Sequence, residues 1–266
     1  MAVLAGCGLI YEYLLSAYAG RILGTLESTI YTMIGLMIVS MGLGSFAARL
    51  FKEPFTTFAW LESLIAFFGV SCILLIAMAV SISSILPTII AETFNFPRDL
   101  VPAGGILESI RDIARMSPYF FGVIIGFFIG MEIPLIARVR EKVHGEHLEH
   151  NTGTIYGADY IGAGAGAAIW VTFMLSIDIT KAAVITATAN VLAGLIFLYL
   201  YWPRIRLRKS LLLVHGLIAM LVVMIYLYGE DWSIKMTNLL YEDEVVFSYS
   251  TRYQHFVVTE HTLADR

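Results

Sequence analysis

The sequence predicts an all-α membrane protein: a bundle of about seven transmembrane helices, followed by the start of a small soluble β-hairpin. Three observations support this class. Hydrophobic residues make up 58% of the 266 residues and charged residues only 14%, whereas soluble domains carry about 25% charged residues. The mean hydropathy is +0.78. Charge-free runs recur along the chain, and most have the length of about 20 residues that a membrane-crossing helix needs.

The runs follow one another with short charged segments between them. The first candidate span is Met1–Ala19, which is interrupted by a single charge at Glu12. The other six runs are Ser28–Ala48, Ser63–Ala91, Met116–Met131, Tyr160–Ile177, Ala182–Pro203 and Ser210–Gly229. The run Met116–Met131 reaches membrane length if it continues through Glu132 to Ala137.

Basic residues concentrate in alternate turns. These are Arg49 and Lys52 after span two, Arg138, Arg140 and Lys142 after span four, and Arg204, Arg206, Arg208 and Lys209 after span six. Because cytoplasmic turns are rich in Lys and Arg, the pattern places the N-terminus inside and the residues after span seven outside. Between spans three and four, Ile106–Met116 has the spacing of an amphipathic surface helix.

The character of the chain changes at the end of span seven. We therefore divide it into residues 1–229, a multi-pass transmembrane domain, and 230–266, the start of a soluble domain. In the second part, Val245–Tyr249 and Gln254–Glu260 are rich in β-branched and aromatic residues. They predict two antiparallel strands around the turn Ser250–Tyr253.

Four acids lie in or beside the predicted spans, where a charge at mid-membrane costs roughly 2.5–3.5 kcal/mol. Their depth favours an interfacial, solvated position for Glu62 and Asp159. Glu12 and Glu132 lie deeper, and either line a polar cavity or pair with neighbouring hydroxyl groups. As a hypothesis, all four converge on one cavity in the cytoplasmic half of the bundle. Such a cavity would attract a polyvalent cation such as a polyamine.

Two further patterns allow more than one interpretation. Gly162, Gly164 and Ala167 match a dinucleotide-binding pattern by letter, but Gly162 and Gly166 also form a GxxxG motif inside a span, which favours close helix packing. Packing is likewise expected at Gly42 and Gly44. His144, His147 and His150 recur every three residues in the segment Val143–Asn151, for which a solvated loop is expected. Because structural zinc sites usually add cysteines or a second ligand pair, no metal site is predicted.

Four short motifs occur in an order that resembles a known family. They are Ile10–Ser16 (IYEYLLS), Met41–Ser45 (MGLGS), Gly130–Leu135 (GMEIPL) and Gly157–Gly162 (GADYIG). Together they resemble the membrane domain that precedes the catalytic domain in membrane-bound spermidine synthase-like proteins, the polyamine aminopropyltransferases. The segment Tyr241–Glu260 is similar to the N-terminal β-hairpin of spermidine synthases.

The resemblance implies a transferase of polyamine biosynthesis in the cell membrane. It implies that Gln254 contacts the nucleoside of decarboxylated S-adenosylmethionine, which is a co-substrate, so that no cofactor is needed. The expected partners are membrane lipid, putrescine and this aminopropyl donor. A homodimer is left open, and no nucleic-acid partner is expected. The candidate polyamine-binding carboxylates are Glu12, Glu62, Glu132 and Asp159.

The family's Gly-rich nucleoside loop and its catalytic Asp have no counterpart in the sequence up to Arg266. The function predicted is therefore that of a membrane domain whose catalytic domain is largely absent, and the chain alone is expected to be inactive. Two alternatives are a transporter or exporter of a cationic metabolite and a purely structural membrane anchor. The charge pattern places the tail outside, whereas the family's substrates are cytosolic, so the side that the tail faces is left open.

Overall fold

The fold is a bundle of helices that leads into a two-stranded hairpin. The structure is a computed structural model, and it describes residues 1–24, 26–95, 97, 104–145, 148–241, 244–250 and 255–260. The helices are α1 (Ala2–Leu23), α2 (Leu26–Ala47), α3 (Pro54–Phe94), α4 (Ile106–Arg115), α5 (Ser117–His144), α6 (Leu148–Thr172), α7 (Ile179–Leu200) and α8 (Arg208–Asn238). The strands are β1 (Glu244–Ser250) and β2 (His255–Glu260).

Seven of the helices in the described ranges are long and apolar enough to cross a membrane, judged by length and composition. The exception is α4, which has 10 residues, none of them buried. It occupies the segment predicted to form an amphipathic surface helix. The membrane location of the bundle stays a prediction.

Several helices extend past the predicted spans. The longest, α3, has 41 residues and begins at Pro54, well before the charge-free run. The last, α8, continues through Glu230 to Asn238, so the boundary predicted between residues 229 and 230 does not coincide with the end of the helix. A change from apolar to charged residues does not end a helix, because Glu and Lys are themselves good helix formers. The predicted loop at residues 143–151 is also shorter, since α5 ends at His144 and α6 begins at Leu148.

Glycines allow α2 and α5 to lie in backbone contact. A Cβ added at Gly44 would overlap the backbone of Phe127, and one at Gly130 would overlap the backbone of Met41. The Ser45 hydroxyl donates a hydrogen bond of 2.8 Å to the Gly130 carbonyl. The predicted packing role is thus confirmed for Gly44. It is wrong for Gly42, which faces open space because it lies on a different side of the helix.

Glycines also bring α1 and α6 into backbone contact. A Cβ at Gly162 would overlap the backbone of Ala2, and one at Gly166 would overlap that of Gly6. The interpretation of Gly162 and Gly166 as a helix-packing motif is therefore confirmed. The dinucleotide pattern has no strand before it here, since these residues lie within α6.

The three basic turns meet at one end of the bundle. Arg138, near the end of α5, donates hydrogen bonds to the carbonyl oxygens of Phe51 at 2.7 Å and Ala48 at 2.8 Å, in the turn after α2. Arg204, in the turn before α8, donates to the carbonyl oxygen of Lys142 at 3.5 Å. We call this face of the bundle the basic end. The opposite face, from which the chain leaves α8 toward the strands, is the hairpin end.

The two strands pair antiparallel, as the sequence predicts. Val245 lies opposite Thr259 and Tyr249 opposite Phe256, with a register irregularity between Val245 and Phe247. The prediction of the hairpin is confirmed for these described strands. Gln254, which the resemblance assigns to the donor site, lies outside the described residues.

Candidate functional site

Two glutamates are buried in the half of the bundle nearest the basic end. Glu62 of α3 and Glu132 of α5 are each only 1% exposed, and their charges lie within range of one another. The prediction of a solvated, interfacial Glu62 is wrong. The reason is that α3 begins at Pro54, which carries Glu62 about 12 Å into the bundle at 1.5 Å per residue.

Packing against α1 sets the depth of this pair. The Tyr11 ring lies against Gly69 of α3, and Gly8 lies against Ile129 of α5. Because α3 runs parallel to α1 and α5 runs antiparallel to it, Glu62 and Glu132 both fall beside the first two turns of α1. The two acids therefore share a depth, although 70 positions of sequence separate them.

An asparagine holds one of the two acids. Asn190 of α7 is fully buried and donates a hydrogen bond of 3.1 Å from Nδ2 to Glu62 Oε2. Among the described residues, neither Glu62 Oε1 nor Asn190 Oδ1 has a hydrogen-bond partner. Buried polar atoms are almost always hydrogen-bonded, so two free acceptors on adjoining side chains are unusual.

A serine–histidine pair borders the same region. The Ser63 hydroxyl of α3 lies 3.1 Å from Nδ1 of His215, a fully buried residue of α8. His215 Nδ1 is also 3.0 Å from the carbonyl oxygen of Leu211. The absence of a side chain at Gly194 of α7 makes room for this arrangement, since a Cβ there would meet both His215 Nε2 and Glu62 Cβ.

The other two predicted acids lie at different depths. Glu12 is four residues beyond Gly8 on α1 and Glu132 is three residues beyond Ile129 on the antiparallel α5, so they are separated by about 10 Å along the helix axes. Asp159 is half-buried on α6 and lies within electrostatic range of Glu132. The structure therefore brings Glu62 and Glu132 to the same depth and places Glu12 farther along the bundle, while a shared polyamine site of the four acids stays a hypothesis.

The resemblance motifs surround this buried pair. Tyr11 belongs to the first motif and Glu132 to the third, while Met41 of the second packs against Gly130 of the third. Tyr11 is fully buried, and among the described residues its hydroxyl has no hydrogen-bond partner. The motifs thus combine residues that allow close helix packing with polar residues at the centre of the bundle.

A second polar region lies at the hairpin end. It is a cavity of about 500 Å³ near Leu240 and Tyr241, just before the hairpin. Its charged lining residues are Arg21, Arg115, Asp178, Lys181 and Glu230. Lys181 Nζ forms an ion pair of 2.6 Å with Glu230 Oε2. Asp178 Oδ1 caps α7 by accepting from the backbone N–H groups of Thr180 at 2.8 Å and Lys181 at 3.3 Å.

Sequence reasoning missed Asn190, Ser63 and His215. Each is a single polar residue inside an apolar run, and no local pattern shows that they meet. The available signal was the cost of placing a polar group at that depth. No group of three or more His, Cys, Asp and Glu residues suited to a metal occurs in the described ranges. His147 lies outside those ranges, so the expectation of no metal there stays a prediction.

The relatives found by comparison with known proteins share one name. No family model matches the chain, and no solved structure matches it. The polyamine aminopropyltransferase of Shewanella oneidensis is 54% identical over 260 residues, which are 98% of this chain and 45% of that protein. Polyamine aminopropyltransferase 1 of Streptomyces coelicolor is 25% identical over 97% of this chain and 44% of its own length. The polyamine aminopropyltransferase of Oceanobacillus iheyensis is 25% identical over 96% of this chain and 45% of its own length.

These matches correct the predicted function. The prediction of a membrane domain without catalytic function is not upheld, because the similarity to proteins named polyamine aminopropyltransferase runs through 98% of the chain, helices and hairpin alike. The names of the three relatives give no support to the transporter and anchor alternatives. The matches likewise give no support to the expected inactivity or to a missing catalytic Asp.

The relatives support the coarser prediction of a transferase of polyamine biosynthesis. The chain spans less than half of the length of each of the three relatives. Over nearly all of its own length, this chain is similar to proteins named polyamine aminopropyltransferase.

Proposed function

We propose that this chain acts in polyamine aminopropyl transfer, moving an aminopropyl group from decarboxylated S-adenosylmethionine to putrescine to give spermidine. The observation that carries the proposal is the 54% identity, over 98% of the chain, to a protein named polyamine aminopropyltransferase. The four motifs that gave the resemblance from sequence lie in helices that pack on one another, α2 on α5 and α6 on α1, and this arrangement supports the same function.

The proposed reaction is a nucleophilic displacement that needs no cofactor. A neutral amine nitrogen of putrescine attacks the propyl carbon bonded to the sulfonium. The new C–N bond forms as the C–S bond breaks, and the electron pair of the C–S bond stays on sulfur to give methylthioadenosine. The ammonium that forms at the attacking nitrogen releases a proton to solvent. In this proposal Gln254 contacts the nucleoside, because a neutral amide can both donate and accept hydrogen bonds there.

The proposal includes a multi-pass location in the cell membrane. The outward faces of the helices are strongly apolar. In α8, Leu213 is 62% exposed and Met220 is 69% exposed, and in α2 Phe46 is 69% exposed. Soluble monomers rarely expose contiguous apolar surface of this extent, whereas lipid contact would cover it favourably.

Transfer activity tests the function directly. The chain is purified in detergent and supplied with putrescine and decarboxylated S-adenosylmethionine, and both methylthioadenosine and spermidine are measured. We expect the two products in equal amounts, and none when putrescine is omitted. Failure to form spermidine under conditions in which the Shewanella relative forms it would overturn the proposal for this chain.

The role of Gln254 is tested by a substitution at this position and by a control substitution elsewhere in the hairpin. Gln254→Ala is expected to weaken binding of the aminopropyl donor by about tenfold, because about one to two hydrogen bonds to the nucleoside are lost. Val246→Ala, at a 52% exposed position of β1, is the control and should bind the donor as wild type does. Equal donor affinities in Gln254→Ala and wild type would remove Gln254 from the site.

The membrane location is tested by fractionation and by reporters. We expect the chain to stay in the membrane fraction after an alkaline wash, which releases peripheral proteins. A reporter fused after Glu260 gives the side on which the hairpin lies, and a reporter fused at Gly145 gives the side of the basic end. Release of the chain by the wash would contradict a multi-pass location.

A further inference from the structure

Glu62 and Asn190 each present a buried oxygen acceptor that has no donor among the described residues, and Glu132 lies within electrostatic range of Glu62. We propose that these three side chains form a binding site for a protonated primary amine. The choice of putrescine as the amine rests on the proposed function. The site itself rests on the geometry.

The acceptor inventory fits an ammonium group. An ammonium carries three N–H donors and no acceptor. Glu62 Oε1 and Asn190 Oδ1 are two buried acceptors without a partner among the described residues. They belong to side chains that are themselves joined by the 3.1 Å hydrogen bond from Asn190 to Glu62, so one donor group can reach both. The Glu132 carboxyl group, which lies within electrostatic range of Glu62, is the third acceptor that we assign to the site.

The charge balance also favours a cation. Two carboxylates buried in a low-dielectric interior are costly unless a positive charge pairs with them. In the described ranges no Lys or Arg forms an ion pair with Glu62 or Glu132, and the positive charge within range of both acids is the amino group of Met1. That amino group makes no hydrogen bond to Glu62 Oε1 or Asn190 Oδ1. A bound ammonium would supply these hydrogen bonds and a second positive charge.

The three oxygen-bearing side chains suit an amine better than a metal ion. Divalent hard cations take about six to eight oxygen ligands, with several carboxylates among them. The described residues hold no cluster of three or more potential metal ligands. Two carboxyl groups and one amide oxygen are few ligands for a metal, but they equal the number of N–H groups on an ammonium.

An apolar groove adjoins the site. It has a volume of about 290 Å³, lies between α3 and α8, and is lined by Trp60, Ser63, Leu64 and Phe67 of α3 with Val214 and Leu217 among the residues of α8. Ser63 is next to Glu62 in the chain and contacts His215. The groove therefore lies next to Glu62 through Ser63, and none of the three proposed site residues lines it.

The test is a titration of the whole chain in detergent with putrescine, in which calorimetry measures the binding affinity. We expect Glu62→Gln and Glu132→Gln each to bind putrescine at least about tenfold more weakly than wild type, since each loses a charge-assisted hydrogen bond. The matched control is Glu12→Gln, which removes an acid about 10 Å from Glu132 along the helix axes. It should stay within about twofold of wild type, since no hydrogen bond to the amine is lost. Wild-type affinity in Glu62→Gln, or an equal loss in Glu12→Gln, would overturn the site.

A second readout guards against misfolded variants. Putrescine should raise the thermal midpoint of wild type, because a ligand that binds only the folded state stabilises it. The same concentration should leave the midpoint of Glu62→Gln unchanged. A sodium titration forms a further arm: if sodium chloride displaces putrescine at equal concentration, the site is one for a monovalent metal ion and the amine assignment is wrong.

The experiments distinguish a failure of the proposed amine site from a failure of the proposed function. If wild type transfers aminopropyl groups while Glu62→Gln binds putrescine normally, the site fails and the function stands. If wild type binds putrescine through Glu62 but forms no spermidine, the site stands and the function fails.

Discussion

The two polar regions of the bundle use similar side chains under opposite conditions. Near the basic end, Glu62 and Asn190 are wholly enclosed, and each keeps one oxygen without a partner among the described residues. At the hairpin end, Lys181 and Glu230 form an ion pair whose side chains are 44% and 51% exposed. Water can satisfy the second region but not the first. Burial, rather than residue type, therefore decides how much a carboxylate contributes to stability or to ligand binding.

The packing around the enclosed region gives the largest expected effect. Gly130→Leu should lower the free energy of unfolding by about 3 kcal/mol, since its side chain would overlap the Met41 backbone, which cannot move aside cheaply. Gly42→Leu is the control, because nothing lies within 4 Å of a Cβ there. It should leave stability unchanged or raise it by up to about 1 kcal/mol through helix propensity. Denaturation in detergent measures both, and equal losses would show that the close contact is absent.

The hydrogen bond within the enclosed region comes next. Asn190→Leu should cost about 2 kcal/mol, because it leaves the buried Glu62 carboxyl group without its donor. In a double-mutant cycle with Glu62→Leu the two losses should be less than additive, since both variants remove the hydrogen bond between Asn190 and Glu62. Strict additivity would mean that Asn190 and Glu62 do not depend on one another.

The serine–histidine contact is expected to matter less. Ser63→Ala should lower stability by about 1 kcal/mol, because His215 loses one partner but keeps the Leu211 carbonyl. Ser84→Ala is the matched control, since its hydroxyl donates only to Val80 within its own helix. Thermal unfolding of the two variants should separate them, and identical midpoints would argue against a contribution from His215.

The exposed ion pair should have the smallest effect. Lys181→Met is expected to cost about 0.5 kcal/mol or less, and the cost should shrink further at high salt, because solvent and ions screen the pair with Glu230. Denaturation at low and high salt measures this. A loss as large as that of Asn190→Leu would break the contrast between the two regions.

The number and apolar character of the long helices could be predicted from the sequence, because charge-free length is a local property of each segment. The sequence also determined the hairpin, since β-branched and aromatic residues around a turn signal act over a few neighbouring positions. It did not determine that α8 continues to Asn238, because charged residues are compatible with a helix.

Only the tertiary structure decided which acids meet. The depth of Glu62 relative to Glu132 depends on how α3 and α5 are registered against α1, which the contacts of Gly8 and Gly69 fix. A shift of one helical turn in either contact would move an acid by about 5.4 Å along the helix axis. No local pattern encodes such a register, which is why sequence reasoning grouped Glu12 with the pair and missed Asn190.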